Sequence, residues 1–288
     1  MKYAFSTLAC PAWSIEQVVD AATRLGYDGV ELRLLDGEVI DPLADRAKVE
    51  RAVALCRSHG VDVCAFDTSC RFNQSDATEQ ERQIADLLAW IGLAHDLQVP
   101  LLRVFGGANP EGGASATDDE VNARVAAALR RVAPAAERTG VTVVLETHDA
   151  FSSARRVADV LERAGSTHIA ALWDSHHPYR MGESPEDVIV ALDGRIAHVH
   201  VKDARRLPSA DGPSADGLAG DGAWQLVLLG EGEVPVRGQL AALREAGYTG
   251  YVSVEWEKKW HPEIADPEIA LPQHIAWLRN AMAEDATS

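Results

Sequence analysis

The stretch IAALWDSHH, residues 169–177, decides how this chain is read. Its first five residues are apolar with no polar residue alternating between them. That pattern describes a strand buried on both faces rather than one with a face in water. An aspartate closes the run and two histidines follow. A charged residue at the end of such a strand has two explanations: it caps the next turn, or it belongs to a site assembled from several strand ends. The second requires other strands of the chain to end in the same way.

Seven further β-rich runs occupy residues 3–7, 29–33, 61–67, 101–106, 141–147, 196–202 and 251–256. Helical stretches alternate with them at 14–25, 45–59, 79–97, 117–139, 153–164, 184–192 and 236–246, and a terminal helix falls near 267–283. Ser14 with Gln17 makes a capping-box pattern, Gly60 and Gly140 stand where helices end, and Pro134 predicts a kink or break within 117–139. Alternating apolar strands and helices specify a parallel sheet covered by helices, and a count of eight favours closure. The expected fold class is therefore α/β, a single (β/α)8 TIM barrel in one domain, 1–288. No Gly-x-Gly-x-x-Gly turn follows the first strand, which removes the main reason to prefer an open dinucleotide-binding sheet.

Residues 204–223 stand apart, with PSADG twice in tandem and a composition dominated by Ala, Gly, Ser, Asp and Pro. They read as a flexible loop. Their place after the seventh strand admits either a lid over an active site or a tolerated insertion.

Composition narrows the function. Of 288 residues, 47% are hydrophobic and 25% charged, which is globular. The net charge of −17 argues against nucleic acid, because phosphate contacts supply most of that affinity. No run approaches the roughly 20 apolar residues of a membrane span. The N-terminal stretch lacks the basic start and long apolar region of a signal peptide, so a cytoplasmic protein with no membrane partner is expected. Cys10, Cys56, Cys64 and Cys70 form no C-x-x-C pair and read as reduced, buried small hydrophobes.

Other strands do end as 169–174 does. The fifth closes with Glu146 and then His148, the sixth with Asp174 followed by His177, the seventh with His198, His200 and Lys202, the eighth with Glu255 and Glu257. Alternation along each strand places Glu146 with Val144 and His148, and Asp174 above Leu172 with Trp173 turned outward. Glu146, Asp174, His200 and Glu255 can then meet at the C-terminal mouth. Carboxylates brought so close repel unless one protonates or a cation joins them. Three carboxylates and an imidazole suit one divalent ion: Mn²⁺, Mg²⁺ or Co²⁺, with Zn²⁺ less matched in softness. His198 reads as a core or supporting histidine, and His176 faces away if the chain stays extended. The first four strands end in Arg33, Asp67 and Arg103 and offer no comparable set. Phe5, Trp13, Phe66, Asp67, Arg103 and Phe105 are candidate pocket walls, and His148 and Lys202 join Asp67 and Arg103 as candidate substrate contacts.

The stretches GYDGVELR, VVLETH, WDSHH, HVHVKD, LGEGEVP and GYTGYVSVEWE, in this order over nearly the whole chain, resemble the xylose isomerase-like barrel superfamily. The similarity is to its sugar phosphate isomerase/epimerase branch, related to ketose 3-epimerases and inosose dehydratases. The resemblance implies Glu146, Asp174, His200 and Glu255 as metal ligands, with Glu146 and Glu255 also serving as acid/base groups. It further implies that His177 and Arg206 contact substrate oxygens. Two departures matter. Ser152 stands where ketose 3-epimerases carry a further glutamate. The histidine-rich metal set of the superfamily's endonuclease branch is incomplete, with Arg103 in place of a histidine.

The expected function is a divalent-metal-dependent sugar isomerase or epimerase acting through an enediolate, with a homodimer or homotetramer as its admissible assembly. A dehydratase or lyase on a keto-sugar or inosose is the alternative. A non-catalytic metal-binding subunit and an endonuclease rank below both.

Overall fold

The structure, a computed structural model, describes residues 1–108, 117–207 and 224–284. The eight anticipated strands are β1 (Lys2–Ser6), β2 (Gly29–Leu32), β3 (Asp62–Arg71), β4 (Leu101–Phe105), β5 (Thr142–Glu146), β6 (Ile169–Asp174), β7 (Ile196–Val201) and β8 (Tyr251–Val254). Every neighbouring pair is parallel, and the sheet closes in the order β1-β8-β7-β6-β5-β4-β3-β2. The helices between them are α1 (Ile15–Leu25), α2 (Arg46–Ser58), α3 (Ala77–Asp96), α4 (Asp118–Thr139), α5 (Ala154–Ala164), α6 (His176–Arg180), α7 (Pro185–Leu192), α8 (Val236–Glu245) and α9 (Pro267–Glu284). This is a (β/α)8 barrel. Among the described residues no helix is long and apolar enough to cross a membrane.

Local chemistry accounts for most boundaries. Ser14 and Gln17 form the anticipated capping box on α1, which ends at Gly26 in the left-handed conformation. Thr117 with Glu120 and Ser184 with Asp187 cap α4 and α7 in the same reciprocal way. Of the kink or break expected at Pro134, the break does not occur: α4 runs continuously through it. The proline removes one backbone donor, but buried Val132, Ala133 and Ala136 hold both sides of it against the core. All four cysteines are buried and free.

The core has two parts. Outward-facing strand residues such as Val143, Leu145, Trp173, Val199 and Val201 pack in one continuous layer under the helices. Inside the barrel, Val144, Ala170 and Leu172 form a small apolar floor with Leu101 and Ala197. Leu172 therefore lies beneath Asp174, and Trp173 is turned to the helix layer, as the alternation requires.

Three register shifts interrupt the regular pairing, one of them on β3–β4, where Asp67 aligns with Arg103 but Arg71 with Phe105. On β2–β3, Val30 aligns with Val63 but Glu31 with Ala65; on β6–β7, Ala171 aligns with Ile196 but Leu172 with His198. β3 and β7 each carry one unpaired extra residue, Cys64 and Ala197, the signature of a β-bulge.

Beyond β7 the chain turns into a two-stranded antiparallel hairpin, Asp203–Arg206 with Trp224–Val227. The Asp203 carboxylate accepts backbone N–H groups from Ala204, Gly230, Gly232 and Val234 at 2.8–3.1 Å. Gly232 is needed there, because a Cβ would lie 2.1 Å from Asp203 Oδ1. One buried side chain thus ties HVHVKD to LGEGEVP. Most of the loop expected at 204–223, with its possible role as a lid, lies outside the described residues.

Candidate active site

Asp174 answers the question of its strand, and both explanations hold. Its Oδ1 accepts the backbone N–H groups of His176 at 2.8 Å and His177 at 3.2 Å, capping the turn into α6. Its Oδ2 faces the barrel axis, 3.1 Å from Lys202 Nζ. One oxygen shapes the chain and the other points into the cluster. The cap corrects the expectation for His176: the chain coils here instead of staying extended, and buried His176 packs edge-on to Trp224 at 5.0 Å.

Glu146, Asp174, His200 and Glu255 are all buried, and one ligand atom from each lies within 4.8 Å of the others. They come from the ends of four adjacent strands, β5 to β8. His200 Nδ1 lies 3.4 Å from both Glu146 Oε1 and Glu255 Oε1. Both oxygens of Glu146 and Nδ1 of His200 are buried without a hydrogen bond. Such groups are costly unless a partner arrives. A hard or borderline divalent cation fits this donor set, which gathers anionic oxygen around one imidazole.

The surrounding charges agree. Burial opposes charge on Lys202, yet Asp174, Glu255 and Glu257 hold its ammonium well above its ordinary pKa. Lys202 also contacts Glu255 Oε2 closely and lies 2.5 Å from Glu257 Oε1. Burial raises the Asp174 carboxyl to about 6, helped by Glu255 and Glu146 and opposed by Lys202. Burial and Glu255 push Glu146 up, but Arg103, His200 and His148 together hold it below the usual value. Arg103, buried, sits 3.5 Å from Glu146 Oε2 and 3.8 Å from Asp67 Oδ1. Asp67 rises to about 7 through burial and the Glu31 charge, against Arg103.

His148 and His177 form the next layer, their rings 4.5 Å apart. Burial disfavours a charge on His148, but Asp149, 3.0 Å away, and Glu146 raise it to about 8. Burial and then His148 hold His177 well below its ordinary value. His148 and Phe105, 4.9 Å apart, border a cavity of about 800 Å³ that Arg33, Arg71 and Asp149 also line. Arg206 stands apart from the buried cluster, exposed on the hairpin with its guanidinium over Trp224 at 5.0 Å. The expected aromatic walls divide. Phe105 faces the cavity, whereas Phe5 packs on Tyr27 and Phe66 on Trp90 under the helices, and Trp13 reaches Glu268.

One residue escaped the sequence reading. Glu31, on β2, is fully buried and contacts both His198 and His200. The expectation for the early strands names Arg33, Asp67 and Arg103 and no comparable carboxylate/imidazole set, and it leaves Glu31 out. The alternation of Glu31 with Arg33 was the available signal.

Residues 19–281 match the family model described as xylose isomerase-like TIM barrel, and the chain belongs to that family. It is 24% identical to an inosose isomerase of Bacillus velezensis, over 84% of this chain and 83% of that protein. Identity to a fructoselysine 3-epimerase of Escherichia coli O157:H7 is 22%, covering 99% of this chain and all (100%) of the relative. Among solved structures, the IOLI protein with a bound zinc atom superposes with a TM-score of 0.79 at 18% identity, over 99% of each chain.

Proposed function

We propose that this protein is a divalent-metal-dependent sugar isomerase or epimerase that works by removing a proton next to a carbonyl group. The observation carrying this is the buried convergence of Glu146, Asp174, His200 and Glu255, whose orphaned ligand atoms suit a cation. The inosose isomerase and the fructoselysine 3-epimerase among its relatives support a sugar substrate. Mn²⁺ is the proposed ion, and the zinc of the structural relative supports a divalent one. When bound, the ion would polarise the substrate's carbonyl and acidify the neighbouring C–H.

The chain's own residues do the rest. Glu146 and Glu255, on β5 and β8, each place an oxygen 3.4 Å from His200 Nδ1, and in the proposed reaction one takes the proton and the other returns one on the opposite face. The Lys202 ammonium offers its N–H groups to the oxygen that gains charge in the enediolate. His148 and His177 donate to or accept from substrate hydroxyls at the mouth, and Arg103 keeps Glu146 ionised. The same first step on a substrate carrying a β-leaving group would end in dehydration, which product analysis distinguishes.

The test incubates metal-stripped and Mn²⁺-loaded protein with a panel of ketoses and keto-cyclitols in D₂O, following C–H exchange by proton NMR. Exchange that requires Mn²⁺ is expected. Equal exchange after EDTA treatment would overturn the metal-dependent reading.

A further inference from the structure

Glu31 stands across the barrel from the candidate centre, and the proposed reaction does not use it. Its carboxylate divides between two histidines of β7: Oε1 contacts His198 Nε2 closely, and Oε2 lies 2.9 Å from His200 Nε2. β1 and β8 separate β2 from β7 along the wall, so these contacts cross the interior. An ionised carboxylate only accepts, so each imidazole presents an N–H at Nε2. For His200 that leaves Nδ1, the atom aimed between Glu146 and Glu255 and without a hydrogen bond. The 2.9 Å contact leaves no space for a cation between Glu31 and His200, so Glu31 meets that ring as a hydrogen-bond acceptor. His198 occupies the second oxygen and stops the carboxylate from turning.

We propose that Glu31 is a positioning residue: by taking the Nε2–H of His200 it fixes the ring's plane and tautomer and commits Nδ1 to the cation. This rests on the four-residue cation site proposed above. Carboxylates behind metal-bound imidazoles act in this way, and removing one lowers metal affinity by roughly 10- to 100-fold. Glutamine is a graded probe. With its amide oxygen toward His200 the arrangement survives and His198 must change tautomer. With the amide reversed, His200 accepts at Nε2, carries its proton on Nδ1 and cannot bind the ion there.

The experiment has two arms. Metal-stripped wild type, Glu31→Ala, Glu31→Gln and His200→Ala are titrated with Mn²⁺, free ion being read by electron paramagnetic resonance. ¹⁵N-histidine-labelled wild type loaded with diamagnetic Zn²⁺ is read by NMR for the ligating nitrogen of His200. The expected result is coordination through Nδ1 with a retained, hydrogen-bonded Nε2–H, Mn²⁺ affinity lowered roughly 10- to 100-fold in Glu31→Ala, and a smaller loss in Glu31→Gln. Coordination through Nε2 in the wild type overturns the proposal whether or not any variant folds. Folded Glu31→Ala with wild-type affinity, beside a His200→Ala that has lost the ion, overturns the role of Glu31 alone. Wild-type affinity in His200→Ala overturns the four-residue site, and this proposal with it.

Discussion

The two halves of the barrel bring different things to its mouth. β5 to β8 end in Glu146, Asp174, His200 with Lys202, and Glu255, which converge on one another. β1 to β4 supply Ser6, Glu31, Asp67 and Arg103, each of which touches a member of the cluster or another residue behind it. Both sets are buried and charged or polar. They differ in degree. The first half leaves both oxygens of Glu146, Asp174 Oδ2, His200 Nδ1 and Glu255 Oε2 without a hydrogen bond. In the second, Ser6 and both oxygens of Glu31 are bonded, and Asp67 Oδ1 and Arg103 Nε face their neighbours only as ion pairs. Under the proposed function, a barrel of eight similar units divides its work, one side presenting the reacting groups and the other supporting them.

The sharpest way to break this division is to remove one acid/base group from the converging half. Glu146→Gln and Glu255→Gln each keep an oxygen for a cation, so Mn²⁺ content should persist while turnover falls roughly 10²–10⁴-fold. With substrates of opposite configuration, each variant should retain proton exchange with only one epimer. Equal exchange of both epimers by both variants would remove the two-base assignment. The second cut falls on the supporting half. Arg103→Met leaves Asp67 and Glu146 buried without their guanidinium, and should destabilise the fold by about 3–5 kcal/mol in urea unfolding. A loss under about 1 kcal/mol would show that the support is dispensable.

The smallest expected effect is a pH dependence in Asp67. Burial beside the Glu31 charge raises its folded-state pKa to about 7, above the ordinary carboxylate value of 3.8. Between these values the native state binds the proton more tightly than the unfolded chain. Its contribution is full below about pH 4 and is lost as pH rises toward 7. Asp67→Asn should therefore gain on the wild type across that window, by at most about 1.4 kcal/mol per pH unit. Parallel stability curves for the two proteins from pH 4 to 7 would show that Asp67 titrates normally.

The converging half was legible because each of its residues ends an apolar run, and four such endings at successive strands leave little room for accident. The fold was legible for the same reason: eight runs, each followed by a capped or periodic helix. The supporting half was harder. Glu31 is flanked by Val30 and Leu32 inside GVELR and looks like any polar residue midway along a strand. Its meaning depends on His198 and His200, 167 and 169 residues away. No local pattern encodes a contact across the barrel. The extended backbone assumed at His176 failed for a local reason, since the Asp174 cap that coils the chain also supplies the inward oxygen. The one aspartate was given a single role in sequence and performs two in the fold.

The bulge at Ala197 has a consequence for heredity. Ile196 packs outward, Ala197 and His198 both face the interior, and the ordinary alternation resumes from Val199 to Lys202. Whether His200 and Lys202 reach the mouth therefore depends on the parity of the residue count along β7. Losing one residue below them keeps every amino acid of HVHVKD intact yet swaps inside for outside, unless the bulge absorbs the change. Insertions of any length between Arg206 and Trp224 leave that parity untouched. The count of residues within β7 thus decides which side chains reach the mouth, whereas the count between Arg206 and Trp224 does not enter it.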